Sequence, residues 1–446
     1  MSVAAVRAVA LRNARPGVAI ASALVSRLAL FAQVVLAARL LAPTEFGVFA
    51  VLLTVFGLLT AVISGGDMWL NRFNWRSEAG ARRAPRVWRP YLALSAISSV
   101  VVAGAGQLAG FLPEPVAGFA APIAAMATAA AVAGFTEALL ATTRASGWVG
   151  TFFTLRDVIA PLAILALMLA ATDPDAADLF AIYAQVYAVV GGTVAALIAL
   201  NAGTLLPPAD LRVRLWRRFV THSLGIAYGN LGSRLVTYAD VFVLSALINI
   251  AEVGEYRVAA QIAVGFMVVQ HFLFLGLPWQ LRRIGRSHLP GPGQVRVLSQ
   301  QRLLLVLAGV AAVVLVGGAE PILALFGPRF TTMADALRLL IVVRLAALLW
   351  GPLHEVLVSA GRAIDDAHAN LIGLAAWLAG FWAAETALAP IAAAIIANAC
   401  AVAAGQGARH LRLRARGLSP TLGHPGGVGV PMGLCLASAV VTPLVL

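Results

Sequence analysis

The sequence contains no lysine: all 32 of its basic residues are arginines, set against 19 acidic residues for a net charge of +13. Charge of either sign is scarce, at 11% of residues, where a soluble domain carries about 25%. Cysteine is scarcer still. Cys400 and Cys435 both lie in apolar segments, which argues against a disulfide framework or a thiolate metal site and for two small buried residues. His-Glu-x-x-His, Cys-x-x-Cys and a glycine-rich phosphate loop are missing. The closest fragments, "GGTV" and "HPGGVG", are turns or helix-packing glycines. The expectation is therefore a protein with no catalytic residues, no metal and no cofactor.

What the chain has is hydrocarbon. Of its 446 residues 61% are hydrophobic, too many and too evenly spread for a water-soluble core. Apolar runs close to the ~20 residues needed to span a bilayer fall at about 17–41, 46–66, 91–112, 116–141, 151–171, 179–201, 219–247, 254–277, 303–326, 335–358, 369–387 and 390–406, with a further run at 428–446. The fold class is all-α, a polytopic transmembrane bundle of twelve spans plus one. Arg7, Arg12 and Arg15 precede the first run, as in a signal peptide. That run is too long for a signal core and contains Arg27, so it reads as a retained span.

Short cytoplasmic loops are enriched in arginine, and the connecting segments alternate accordingly. Arginines crowd the N-terminus, the segment 67–90, Arg144, Arg212–Arg218, Arg282–Arg296, Arg362 and Arg409–Arg416, while "APTE", "LPEPV", "TDPDAAD" and "NIAEVGE" have none. The N-terminus is thus expected in the cytoplasm and the protein in the bacterial inner (plasma) membrane. The arginine-rich stretch "RFNWRSEAGARRAPRVWR" faces anionic lipid headgroups on this reading, and nucleic acid is not a partner. No loop exceeds roughly two dozen residues, so function resides within the membrane or in short loops.

The chain also repeats itself. Shifting by 207 residues lays Ser26-Arg27-Leu28 on Ser233-Arg234-Leu235, Gln33 on Asp240, Glu45 on Glu252, Gly47 on Gly254 and Phe49 on Tyr256. Apolar matches are cheap in membrane helices; the Ser-Arg, Glu and Gly at fixed spacing are not. Six spans separate the copies, which makes them parallel repeats of the kind that transporters use to enclose a substrate near the midplane. The expected organisation is a six-helix bundle over 1–207, a second over 208–408, and a basic loop with an extra helix over 409–446.

"RLLAPTEFGVFAV" followed by "ISGGDMWLNRF", then "VGEYRVAA" at 253–260, "LFGPRF" at 325–330 and "AGRAIDD" at 360–366 together resemble the bacterial polysaccharide flippases, the O-antigen and exopolysaccharide exporters of the multidrug/oligosaccharidyl-lipid/polysaccharide superfamily. The resemblance covers about residues 15–410. It implies a fold of twelve to fourteen helices like that of the multidrug exporters. It also implies transfer of an undecaprenyl-diphosphate-linked oligosaccharide from the cytoplasmic to the periplasmic leaflet, alongside glycosyltransferases and a polymerase. The odd thirteenth span departs from the family's even number.

A charge near the bilayer centre costs about 2.5–3.5 kcal/mol on insertion scales, so intramembrane charges mark function or pairing. Arg27 sits about ten residues into its span, roughly 15 Å deep, and Arg234 at the equivalent depth. With Arg344 and Arg156 they are the candidate substrate-binding residues, since a planar guanidinium matches phosphate oxygens bidentately. The bland reading pairs Arg234 with Asp240 and leaves Arg156 interfacial. Asp240, Glu355, Glu137 and Asp157 are candidates for pairing with those arginines or for ion coupling, Glu355 lying near Pro352. His354, His271 and Glu385 could serve similarly, and Asp67 reads as a cap or gate contact.

Three functions remain open. A lipid-linked oligosaccharide flippase accounts for the repeat and the arginines. A small-cation exporter of the same fold would want acids where this chain has arginines. A polytopic glycosyltransferase or ligase would need a catalytic acid or base, usually on a sizeable external loop.

Overall fold

The computed structural model describes residues 3–65, 88–111, 116–145, 149–200, 213–267, 292–351, 353–359 and 362–415. The expected helix at 428–446, the boundary at 207/208, the basic segment around Asp67, His271 and Pro352 lie outside them. Every regular element among the described residues is helical. Seven helices there are long and apolar enough to cross a membrane. A bilayer core leaves the backbone no water to bond with, so it must satisfy its own N–H and C=O groups, and an α-helix does so within one segment.

The chain divides into two compact units, 1–231 and 232–446. The first contains α1 (Val3–Leu40), α2 (Pro43–Ile63), α3 (Trp88–Gln107), α4 (Ala120–Ala145) and α5 (Val149–Thr154). A π-helical turn (Leu155–Ile159) joins α5 to α6 (Ala160–Ala170), and α7 (Ala176–Leu200) follows. The chain then enters the second unit along α8 (Val213–Leu247), followed by α9 (Ile250–Phe266), α10 (Pro292–Gly317), α11 (Ala319–Ala324), α12 (Ala334–Leu349), α13 (Leu353–Ser359), α14 (Ala363–Glu385) and α15 (Pro390–Ala415).

The 207-residue repeat is visible at the helix ends. α1 stops at Leu40 and α8 at Leu247, the equivalent position, and a two-residue corner follows each. Different chemistry starts the next helix. Pro43 opens α2, where its missing N–H is no loss. Asn249 caps α9, its side-chain oxygen accepting from the Ala251 N–H at 2.9 Å. The repeated glutamates, Glu45 and Glu252, lie in the first turns, where the helix dipole favours an anion. The motif glutamates are thereby accounted for by helix initiation.

In the first unit α4 is central, packed against α2, α3 and α7, while α1 runs along α5, the π turn and α6. Buried Phe49, Phe56, Phe180 and Tyr183 form one aromatic cluster, Phe49 and Phe180 with centroids 5.1 Å apart. In the second unit α14 and α15 make the closest pair. A Cβ on Gly373 would approach the Ala401 carbonyl to 3.2 Å, and Gly405 Cα lies nearby at 3.6 Å, the close backbone approach that small residues permit between membrane helices. Trp377 stacks on Phe381 at 5.2 Å. Large aliphatic side chains such as Val100, Val313 and Leu169 stay about two-thirds or more exposed, as a hydrocarbon solvent allows.

Four expected spans need correction. The run 303–326 breaks at Gly318, between α10 and α11. The run 151–171 is interrupted by the π turn. The run 335–358 breaks at Gly351, which has a left-handed φ of 75°. The run 390–406 continues to Ala415, so Arg409, Arg412 and Arg414, expected in an inner loop, are helical. The "LFGPRF" motif also has a structural account: Gly327 adopts φ 134°, which favours glycine, and seats Phe326 and Phe330 in the core. Gly373→Leu should overpack the α14–α15 seam by about 1–3 kcal/mol. A lowered unfolding temperature in detergent is the expected result, with Gly373→Ala much milder.

Candidate functional site

Two polar sites lie inside the helices of the first unit. The π turn inserts an extra residue into the helix, a feature common at functional sites, and carries Arg156 and Asp157. Arg156 Nε lies 2.8 Å from Glu137 Oε2 and 3.0 Å from Oε1 on α4, and 3.9 Å from Asp157 Oδ1. Its guanidinium also lies 5.3 Å from the centre of the Phe152 ring. The Arg156 side chain is 39% exposed and those of Glu137 and Asp157 15% each, so the pair is enclosed on one side and open on the other. Glu137 is held in place by its neighbour: the Thr136 hydroxyl donates to the Tyr187 carbonyl on α7 at 2.9 Å. Gly191 makes that approach possible, since a Cβ there would come within 2.5 Å of the Thr136 hydroxyl. Arg156 is thus half of an ion pair that joins the π turn to α4.

Just beyond, Gln33 of α1 is buried. Its amide donates to the Pro161 carbonyl at 2.7 Å and accepts from the Tyr183 hydroxyl at 2.8 Å. One neutral side chain thus ties α1 to α6 and α7.

In the second unit the equivalent residue is a carboxylate. Asp240 is 1% exposed. Its Oδ2 accepts from the Tyr256 hydroxyl at 2.7 Å and from Asn398 Nδ2 at 3.1 Å, and its Oδ1 from the Val241 N–H at 2.8 Å. Among the described residues these are the hydrogen bonds of Asp240, and no ion pair joins it to Arg234, which is half-buried. Arg344 lies on α12 and Arg257 on α9. Arg344 Nε is buried with no hydrogen-bond partner among the described residues. Arg257, in the middle of α9, is buried beneath Tyr238, its guanidinium 4.9 Å from the ring centre. Arg27 is exposed on α1, and the side chain of Glu355 on α13 lies outside the described set.

A third cluster, which sequence reasoning did not assemble, joins α13, α14 and α15. Buried Asp366 accepts from Arg409 Nε at 2.7 Å and lies 2.8 Å from His354 Nδ1. Asn370 bonds to both Arg409 and Asp366, and Arg412 reaches Asp365 at 3.4 Å. The "AGRAIDD" acids are thus helix-clamping groups in the first turn of α14. The signal in the sequence was Asp365-Asp366 opening an apolar run opposite Arg409 and Arg412 closing another.

Apolar helices of this length, interrupted by paired charges and a π turn, make a multi-pass membrane protein. Residues 15–274 match the family model described as polysaccharide biosynthesis protein; the chain belongs to that family. No curated protein matches the chain. Solved structures share the fold. An inward-facing multidrug resistance MATE family transporter of the MOP superfamily aligns at TM-score 0.69 and 13% identity over 96% of this chain and 99% of its own. The Vibrio cholerae MATE transporter VcmN in its bent form gives 0.59 and 14% over 91% and 98%. A MOP superfamily transporter from Pyrococcus furiosus, described as having a binding pocket of reversed polarity that suggests a different function, gives 0.57 and 12% over 96% and 94%.

The two buried anchors should respond unequally to loss of a hydroxyl. Tyr256→Phe removes a donor to a carboxylate and should cost about 1.5–3 kcal/mol. Tyr183→Phe removes a neutral bond between membrane helices and should cost about 0.6 kcal/mol. Unfolding of each variant in detergent measures the difference.

Proposed function

We propose that the protein translocates an undecaprenyl-diphosphate-linked oligosaccharide from the cytoplasmic to the periplasmic leaflet by alternating access, for surface polysaccharide biosynthesis. The observation that carries this reading is the group of arginines set into apolar helices of a chain from a polysaccharide-biosynthesis family: Arg27, Arg156, Arg234 and Arg344. A cationic drug would be repelled by such a set, whereas a diphosphate is matched by it. The structural relatives include drug transporters, but one MOP superfamily transporter of this fold is described as having a binding pocket of reversed polarity, a precedent for one fold serving cargo of either sign.

On this reading the arginine-rich helix ends face the cytoplasm of a bacterial cell, and the N-terminus with them. Arg27, Arg234, Arg344 and Arg156 receive the phosphates. Asp240, screened by Tyr256 and Asn398, is the candidate for ion coupling, since it alone of the two repeat-equivalent anchors can carry charge; Gln33 cannot. Glycosyltransferases and a polymerase are the expected partners, supplying and consuming the lipid-linked sugar.

In cells lacking their own flippase, the gene should restore surface polysaccharide. Arg27→Ala should reduce restoration at least tenfold, the loss of one charge-assisted contact of roughly 1.5–3 kcal/mol, with membrane insertion unchanged on immunoblots. Full restoration by that variant removes Arg27 from the site. Dye or antibiotic efflux without restoration would instead assign a small-cation exporter.

A further inference from the structure

The two units carry opposite charges at one equivalent place. The 207-residue shift lays Met126, Ala127 and Ala129 of α4 on Met333, Ala334 and Ala336 around the start of α12. The packing agrees. α4 lies against α2, α3 and α7, and α12 lies against α9, α10 and α15, their counterparts in order along the second unit. The same shift lays Glu137 on Arg344.

Glu137 is used within its own unit. It holds Arg156 Nε at 2.8 Å, and Asp157 lies 3.9 Å from the same nitrogen. An anion brought to Arg156 therefore competes with two carboxylates. Arg344 makes no ion pair among the described residues. Its Nε is enclosed and has no hydrogen-bond partner there. The residues one turn to either side, Leu340, Ile341, Ala347 and Leu348, are buried. The side chain thus rises from a packed face of α12, while part of the residue stays accessible. Stripping a guanidinium of water without giving it a partner costs stability, and native proteins keep such groups chiefly where function needs them.

We propose that Arg344 is the residue on which the phosphoryl group of the cargo settles, and that the second unit carries no carboxylate against it for that reason. This rests on the flippase reading and deepens it: the phosphate contact falls to the second unit, and Arg156 joins only where Glu137 gives way. A planar guanidinium takes two oxygens of one phosphoryl group. The diphosphate of a lipid-linked sugar, a phospholipid headgroup and free pyrophosphate share that chemistry. Stability is given up for binding at such a residue. Removing the charge should therefore stabilise the protein without ligand and abolish its response to ligand. An arginine that only holds helices together gives the opposite sign.

The test follows thermal unfolding of the full-length protein in neutral detergent, alone and with undecaprenyl diphosphate, phosphatidylglycerol or pyrophosphate. Wild type, Arg344→Met and Arg156→Gln are compared. Without ligand, Arg344→Met should unfold a few degrees above wild type, and Arg156→Gln below it, because Glu137 then loses its guanidinium. Undecaprenyl diphosphate should raise the midpoint of wild type and of Arg156→Gln and leave Arg344→Met unmoved, with affinity for that variant lower by about tenfold or more. Pyrophosphate shifting wild type but not Arg344→Met supports contact with the phosphoryl oxygens themselves. A gain in midpoint cannot come from misfolding. An Arg344→Met protein that unfolds below wild type, or that the diphosphate lipid still shifts as it shifts wild type, overturns the inference alone. A shift by phosphatidylglycerol only, lost in Arg344→Met, keeps the phosphate contact and overturns the flippase reading. A wild-type protein that none of the three shifts overturns both.

Discussion

A polar side chain inside a bilayer has to find its partners within the protein, because hydrocarbon offers none. The rest of this structure depends on that constraint. Gln33, Asp240, Glu137 and Asp366 are all buried or nearly so: Gln33 bonds to two other helices, Asp240 and Asp366 each accept from two, and Glu137 pairs with the π turn. With little hydrophobic driving force between helices in lipid, these bonds, together with close glycine contacts, decide which helix lies beside which.

The internal repeat shows the constraint being met twice in different ways. At equivalent positions one unit has an amide and the other a carboxylate, both about 1% exposed. The amide needs one donor and one acceptor and gets them from Tyr183 and Pro161. The carboxylate needs only donors, and Tyr256, Asn398 and a backbone N–H supply them. Phe49 in one copy is Tyr256 in the other because only the copy with the carboxylate has a use for the hydroxyl. The two units thus keep one architecture while differing in what they can do with a charge.

Solved structures that share this fold include drug transporters, so fold alone does not name a cargo. Within the second unit the acids join helices: Asp240 links α8 to α9 and α15, and Asp366 links α14 to α13 and α15.

The all-helical membrane class, most helix positions, the corner after the first helix of each repeat and the set of intramembrane charges were legible in the sequence, because each rests on local composition or on spacing along one helix. Membrane insertion is decided segment by segment, and a run of apolar residues reports it directly. The partners were not legible. Nothing in the order of residues tells that Glu137 faces Arg156, that Asp240 chooses Tyr256 and Asn398 over Arg234 six residues away, or that Asp366 clamps Arg409 across forty-odd positions. The π turn was equally hidden, since a one-residue insertion leaves the apolar pattern intact. Those outcomes belong to the tertiary structure: a charge in hydrocarbon pairs with whatever donor the packing of neighbouring helices brings within about 3 Å, and that packing is a property of the assembled bundle.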